Sequence, residues 1–340
     1  MSTATTPIEP AEPGGTAEAL PEGETRGRRK RRMLLIVNPY ATTVSDRLKS
    51  LVVYALQGRY RVEAVSTEAK DHATEIGREA VDGGYELVVA FGGDGTLNEV
   101  VNGLAGTEIP VSVLPGGSTN VVCRTLGIPN DVVDATEHLL GLADRFEPRR
   151  IDLGTANGRH FVFACGAGLD ATAAKTVDAR PRLKARLGPY FYTYAAVRGF
   201  YANYLRSPVE LQVDCPHGSA RGITAICQNS DPFTYFAGRE VRVCEEVAID
   251  SGGVSLAVLR RAAQRDVPFI ARRVLGAGTK TIDHRQIEHF SQLRSARVRS
   301  LTTGADGELR GFPVQVDGDY VGEHTELDLG IAPYTLQIIA

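Results

Sequence analysis

The sequence predicts an α/β protein, with an N-terminal doubly wound parallel sheet followed by a mainly antiparallel β-sandwich. Three observations support this. From residue 33 to about 150, short apolar runs alternate with segments of helical spacing, the pattern of βαβ units. Two of those runs end in glycine-rich strings that open helices. After about Arg150, strand-like runs follow one another with few helical stretches.

The elements follow in order. MLLIVN (33–38) is a short buried strand, and residues 46–57 carry Leu48, Leu51, Val52 and Ala55 at helical spacing. YRVEAVS (60–66) alternates like a strand. A second helix spans 71–82, with Asp71 near its start and Gly83-Gly84 as its stop. ELVVAF (86–91) runs into GGDGT and a helix to about Leu104, and VSVL (111–114) runs into PGGSTN and another helix. In the second half, IDLGTANGRHFVFAC reads as a hairpin turning at Asn157-Gly158. VELQV (209–213), ITAIC (223–227), VRVC (241–244), VSLAVL (254–259), ARVRSL (296–301) and FPVQV (312–316) read as strands, with helical inserts near 170–205 and 266–280. The expected division is a disordered tail over 1–32 ending in basic residues, an α/β domain over 33–150 and a sandwich domain over 151–340, with a cleft between the two domains.

Composition narrows the function classes. Hydrophobic content of 43% and charged content of 23% are those of an ordinary globular protein. A net charge of −3 argues against nucleic acid as a partner. Cys123, Cys165, Cys215, Cys227 and Cys244 form no CxxC pair, which predicts reduced thiols and a cytoplasmic setting. No histidine pair has metal spacing, and no apolar run approaches a membrane span.

The chemistry resides in the loops. In Gly92-Gly93-Asp94-Gly95-Thr96-Leu97-Asn98-Glu99, a buried strand ends, three glycines fall within four residues, and a helix begins. Glycines let phosphate approach the amides, and a helix start supplies unpaired N–H donors. A carboxylate beside a phosphate is repelled unless a divalent cation lies between them, so Asp94 predicts magnesium (Mg2+). The plain alternative is a capped strand–helix turn. Gly117, Ser118, Thr119 and Asn120 repeat the logic after the fourth strand, where a simple capped helix start is again the alternative. Loops from neighbouring parallel strands converge at one sheet edge, where α/β folds bind nucleotides. Asn38, with the threonines that follow it, and Thr67 end two further strands at the same edge.

NPYATT, STEAKDHA, GGDGTLNEVVNGL, LPGGSTNVVCRTLGIP and VQVDGDYVG together resemble the diacylglycerol kinase catalytic family, whose relatives include sphingosine and ceramide kinases. The resemblance runs from about residue 33 to the C-terminus. It implies an ATP-binding α/β domain followed by a β-sandwich lipid-substrate domain, and ATP contacts from Asn38, Pro39, Ala41 and Thr42, from Thr67, from residues 92–99 and from 117–120. It also implies that Asp319, in Asp317-Gly318-Asp319, takes the general-base position with Asp317 beside it. Without the resemblance these residues read as a solvated β-turn. Three departures stand out: Asp319 replaces the usual Glu, Val121 follows Asn120 where many relatives have Asp, and the segment Ile249 to Gly253, where some relatives bind a structural cation, retains one clear carboxylate, Asp250.

The implied reaction is transfer of the ATP γ-phosphoryl group to a lipid hydroxyl, with diacylglycerol as the leading acceptor. The alternatives are an NAD-kinase-like soluble kinase and a catalytically weak nucleotide- and lipid-binding protein. Tyr190, Phe191, Tyr194, Phe200 and Tyr204, preceded by Arg180, Arg182, Lys184 and Arg186, suit either a lipid interface or a core helix. The basic cluster at 26–32 suits either a solvated tail or peripheral contact with an anionic membrane. The sequence leaves a homodimer open.

Overall fold

The computed structural model describes residues 29–180, 183, 189–199, 208–261, 263–264, 266–275 and 280–340. The first strand, β1 (Arg31–Val37), buries Met33 to Val37 completely or nearly so. It starts two residues before the apolar run because its arginines find partners in the fold. The Arg31 guanidinium lies 4.0 Å from the Phe146 ring centroid and that of Arg32 lies 4.6 Å from Tyr85. These two arginines, assigned to the tail from sequence, belong to the sheet. Arg26, Gly27 and Arg28 of the basic cluster, with the rest of the tail, lie outside the described residues.

There follow α1 (Asp46–Leu56), β2 (Tyr60–Ser66), α2 (His72–Asp82), β3 (Leu87–Gly92), α3 (Asp94–Leu104), β4 (Val111–Pro115), α4 (Val121–Thr125) and α5 (Val132–Leu142). The strands lie side by side as β2-β1-β3-β4, all parallel. From β1 the chain steps outward to β2 and then returns to the other side of β1 for β3. The loops leaving β1 and β3 therefore diverge at the carboxyl edge, the switch point where such sheets bind ligands.

The later strands are β5 (Arg149–Ala156), β6 (Arg159–Phe161), β7 (Ala164–Gly168), β8 (Leu211–Cys215), β9 (Gly218–Gly222), β10 (Thr224–Gln228), β11 (Thr234–Phe236), β12 (Arg239–Val241), β13 (Val254–Leu259), β14 (Ile287–Leu293), β15 (Ser295–Ser300), β16 (Phe312–Val316), β17 (Asp319–His324) and β18 (Glu326–Ile338). Among the described residues, three α-helices interrupt them: α6 (Leu169–Asp178), α7 (Pro189–Gly199) and α8 (Val267–Leu275). The expected hairpin turns at Asn157 and Gly158, with φ of 47° and 82°, the left-handed pair that a two-residue turn requires.

Six strands, β14-β13-β10-β7-β16-β17, make an antiparallel sheet. Cys165, Cys227, Leu256 and Val314 from this sheet pack against Leu211, Val213, Val298 and Leu327 from the other, forming the apolar core of a sandwich. The long strand β18 joins the two halves: its start pairs with β15, its length with β5, and Ile338 at its end pairs in parallel with Val111 of β4.

The run expected as a strand over 241–244 ends at Val241. Beyond it, the Cys244 N–H donates to Gln228 Oε1 at 2.8 Å instead of to a neighbouring strand. The aromatic stretch divides by face. In α7, Phe191 and Ala195 pack on Ala173 and Val177 of α6, while Tyr190 and Tyr194 are exposed. Phe200, Tyr204, Arg182, Lys184 and Arg186 lie outside the described residues. No helix among the described residues is long and apolar enough to cross a membrane.

Candidate active site

Three loops are stitched together at the carboxyl edge of the parallel sheet. The Asn38 N–H donates to Phe91 O (2.9 Å), that of Gly116 to Gly92 O (2.8 Å) and that of Thr43 to Gly116 O (3.1 Å). The two glycine strings touch backbone to backbone. A Cβ on Gly116 would stand 2.8 Å from the Gly92 Cα, and one on Gly117 would stand 2.9 Å from the Gly93 Cα. Any side chain at these positions would force the loops apart.

Asn38 braces this edge: its Nδ2 donates to Thr96 Oγ1 at 3.0 Å and its Oδ1 accepts the Tyr40 N–H at 2.9 Å. Pro39 and Thr42 are exposed and Ala41 half-buried in the turn that follows. Thr67 is buried, its N–H bonded to Val37 O at 2.8 Å. Ser118 is exposed and Thr119 half-buried at the tip of the second glycine loop. Asn120, at φ 48°, closes that loop on itself: Oδ1 accepts the Gly117 N–H and Nδ2 donates to Gly117 O, both at 2.9 Å.

Asp94 opens α3, yet its carboxylate reaches across to α4, where it accepts the N–H of Val121 (3.0 Å) and of Val122 (3.1 Å). It therefore caps the helix that follows the second glycine loop. Burial pushes its pKa up to about 6, the two amides pull the other way, and the nearby charges of Asp317 and Asp319 add to the rise.

The turn between β16 and β17 carries the other two carboxylates. Asp317 and Gly318 both have positive φ, 47° and 87°. The Asp317 side chain is buried and fully engaged. Oδ2 accepts from Val162 N–H and Asn98 Nδ2, both at 2.8 Å, and Oδ1 accepts from Phe163 N–H (2.9 Å) and Ala164 N–H (3.1 Å). Its pKa is also pushed up to about 6 by burial, against the pull of those donors. Asp319, half-buried at the start of β17, lies directly on the first glycine loop: a Cβ on Gly95 would stand 2.9 Å from its Cγ.

Two residues expected at the nucleotide are occupied elsewhere in this structure. Asn98 is 2% exposed, and its amide bonds to Asp317, to His160 O (2.9 Å) and to the Arg159 guanidinium. Glu99 turns away to α2, where Oε2 accepts the Ala73 N–H at 3.1 Å. Both lie on faces of α3 that pack against protein, which a linear string does not reveal. Arg159 escaped notice from sequence because a lone arginine after a turn carries no signal.

The oxygen donors suit magnesium, but among the described residues no group of three or more acidic, histidine or cysteine side chains could hold a metal. A nucleotide-borne ion touching one or two carboxylates, Asp94 first, fits this set; a dedicated cage does not. Each Asp94 oxygen keeps a lone pair beyond the one directed at α4.

A family model described as the diacylglycerol kinase catalytic domain matches residues 32–157. The diacylglycerol kinase of Staphylococcus aureus (strain MRSA252) is 31% identical over 303 residues, covering 86% of this chain and 88% of that protein. The chain belongs to the diacylglycerol kinase family. As a member it is a lipid kinase, a phosphotransferase. The diacylglycerol kinase of Bacillus subtilis (strain 168) is 27% identical over 274 residues, 78% of this chain and 84% of that protein. The fold agrees with the crystal structure of a diacylglycerol kinase from Bacillus anthracis str. Sterne, at TM-score 0.68 and 22% identity, covering 92% of this chain and 98% of that one. In this family member, both glycine loops, the Asn38 turn and Asp319 stand together at one sheet edge.

Proposed function

We propose that this family member transfers the γ-phosphoryl group of magnesium-bound ATP to a lipid hydroxyl, with diacylglycerol as acceptor and phosphatidic acid as product. The contact of Asp319 with Gly95 supports this reading most strongly, because it sets a carboxylate from the second half of the chain against a phosphate-type loop from the first. The acceptor follows the name that the relatives carry.

Residues 33–150 would bind ATP and residues 151–340 the lipid. The Asn38–Thr42 turn, Thr67, the amides of residues 92–96 and the loop at 117–120 would hold the nucleotide. Asp319 takes the proton of the lipid hydroxyl as its oxygen bonds to the γ-phosphorus. The bond to the β,γ-bridging oxygen breaks and ADP leaves with that electron pair. Magnesium, when bound, neutralises charge on the phosphates, and Asp94 is the residue that would meet it. Exposed Tyr190, Tyr194 and Phe269, with exposed Arg198 and Arg272 on the same helices, would meet an anionic bilayer from the cytoplasmic side.

Labelled ATP and magnesium, offered with diacylglycerol, ceramide or sphingosine in mixed micelles and separately with NAD, test the reading. Labelled phosphatidic acid that disappears on chelation is the expected product. Label on NAD, or ATP binding without any phosphorylated lipid, would overturn it.

A further inference from the structure

Asn98 stands one helical turn beyond Asp94 on α3, and its amide can take only one orientation. Nδ2 donates to two acceptors, His160 O and Asp317 Oδ2, while Oδ1 receives Arg159 Nε (3.2 Å) and Nη2 (2.9 Å). On the far side of that bond, Asp317 is tied to three successive amides, Val162 to Ala164. Asp317 therefore joins α3, the segment between β6 and β7, and the turn whose next strand begins with Asp319.

We propose that Asn98 and Asp317 are positioning residues, whose buried hydrogen bond sets the distance between the first glycine loop and Asp319. This inference rests on the kinase reading above. The place of Asp319 leaves little latitude, since its Cγ is only 2.9 Å from where a Cβ of residue 95 would be. A misplacement of about 1 Å can cost a positioned reaction on the order of 100-fold. The bonds that hold the nucleotide loops together, Gly116 to Gly92 and Thr43 to Gly116, pass through neither residue. The effect of breaking the pair therefore falls on turnover and leaves nucleotide affinity alone.

The test compares Asn98→Ala and Asp317→Asn with wild type in kcat for lipid, KM for ATP, thermal stability and crystal structure. Asn98→Ala removes one donor to Asp317 and leaves three, so it decides the matter even if Asp317→Asn does not fold. The expected result is a kcat lower by roughly 10- to 100-fold with KM for ATP within about threefold. The Asp319 carboxylate should also be displaced from Gly95 in the variant crystal. A folded Asn98→Ala enzyme with kcat within about twofold of wild type, parallel loss of kcat and ATP affinity, or an unmoved Asp319 would overturn the proposal. If wild type phosphorylates no lipid, the kinase reading fails, and the position of Asp319 in the Asn98→Ala crystal still decides this one.

Discussion

The carboxylate of Asp319 fills the space that a side chain at residue 95 would need: a Cβ there would stand 2.9 Å from its Cγ and 3.3 Å from Oδ1. Gly95 belongs to the second position of α3 and Asp319 to the first of β17. The glycine thus has a use besides the proposed one of letting phosphate approach the backbone. It makes room for the proposed base.

Gly95→Ala separates these purposes. Alanine suits a helix better than glycine by roughly 0.5–1 kcal/mol, so the urea midpoint should hold or rise slightly. Lipid phosphorylation should drop by about 100-fold, because the new methyl displaces Asp319. Normal turnover in a folded variant would detach Asp319 from the chemistry.

Asp319→Asn should bind ATP as wild type does by calorimetry while losing roughly 10²- to 10⁴-fold in turnover, the usual contribution of a general base. Asp319→Glu retains an acceptor and should keep measurable activity in the same assay.

Asp94→Asn keeps one acceptor for the α4 amides and replaces the other with a donor. A loss of about 1–2 kcal/mol of stability, of the size seen for helix caps, is expected without unfolding. The KM for magnesium-ATP should rise far more than thermal stability falls, as read from kinetics at several magnesium concentrations.

The pH dependence has a definite sign. Burial raises to about 6 the carboxyls of Asp94, of Asp317 and of Asp170, which lies in the first turn of α6 and accepts from Gln315 Nε2 at 2.9 Å, so the folded protein holds more protons than the unfolded chain in mildly acid solution. Their contribution to stability is greatest below the ordinary carboxyl range and is lost as pH rises toward about 6. The kcat/KM for magnesium-ATP should move the opposite way, falling as pH drops through about 6 and Asp94 of the free enzyme takes up its proton. Urea midpoints across this range, compared with Asp170→Asn, check the first claim: that variant should show a shallower slope. A pH profile of kcat/KM for magnesium-ATP checks the second.

The parallel strands and their helices were legible because periods of two and of three to four residues are local properties. Of the α1 residues read at helical spacing, Leu48 and Val52 face the core, whereas Leu51 is exposed. The glycine strings were legible for a similar reason, since each occupies one strand–helix junction. What escaped was direction. The side chains of Asn98 and Glu99 sit in a phosphate-like string yet point into protein, and Asp94 reaches to α4 because the second glycine loop presents two unpaired amides there.

By itself, the order of residues determined the alternation of strand and helix, the two glycine loops at one sheet edge and the Asp317–Asp319 turn. Strand, helix and turn follow from contacts among neighbours in the chain, and the shared edge from the parallel βαβ order. Only the tertiary structure decided that Asp319 lies on Gly95, that Asp317 is tied down by three amides and Asn98, and that β18 returns to pair with β4. Those contacts join residues far apart in sequence, and the pairing of distant strands, β7 with β16 and β4 with β18, helps to bring such residues within reach.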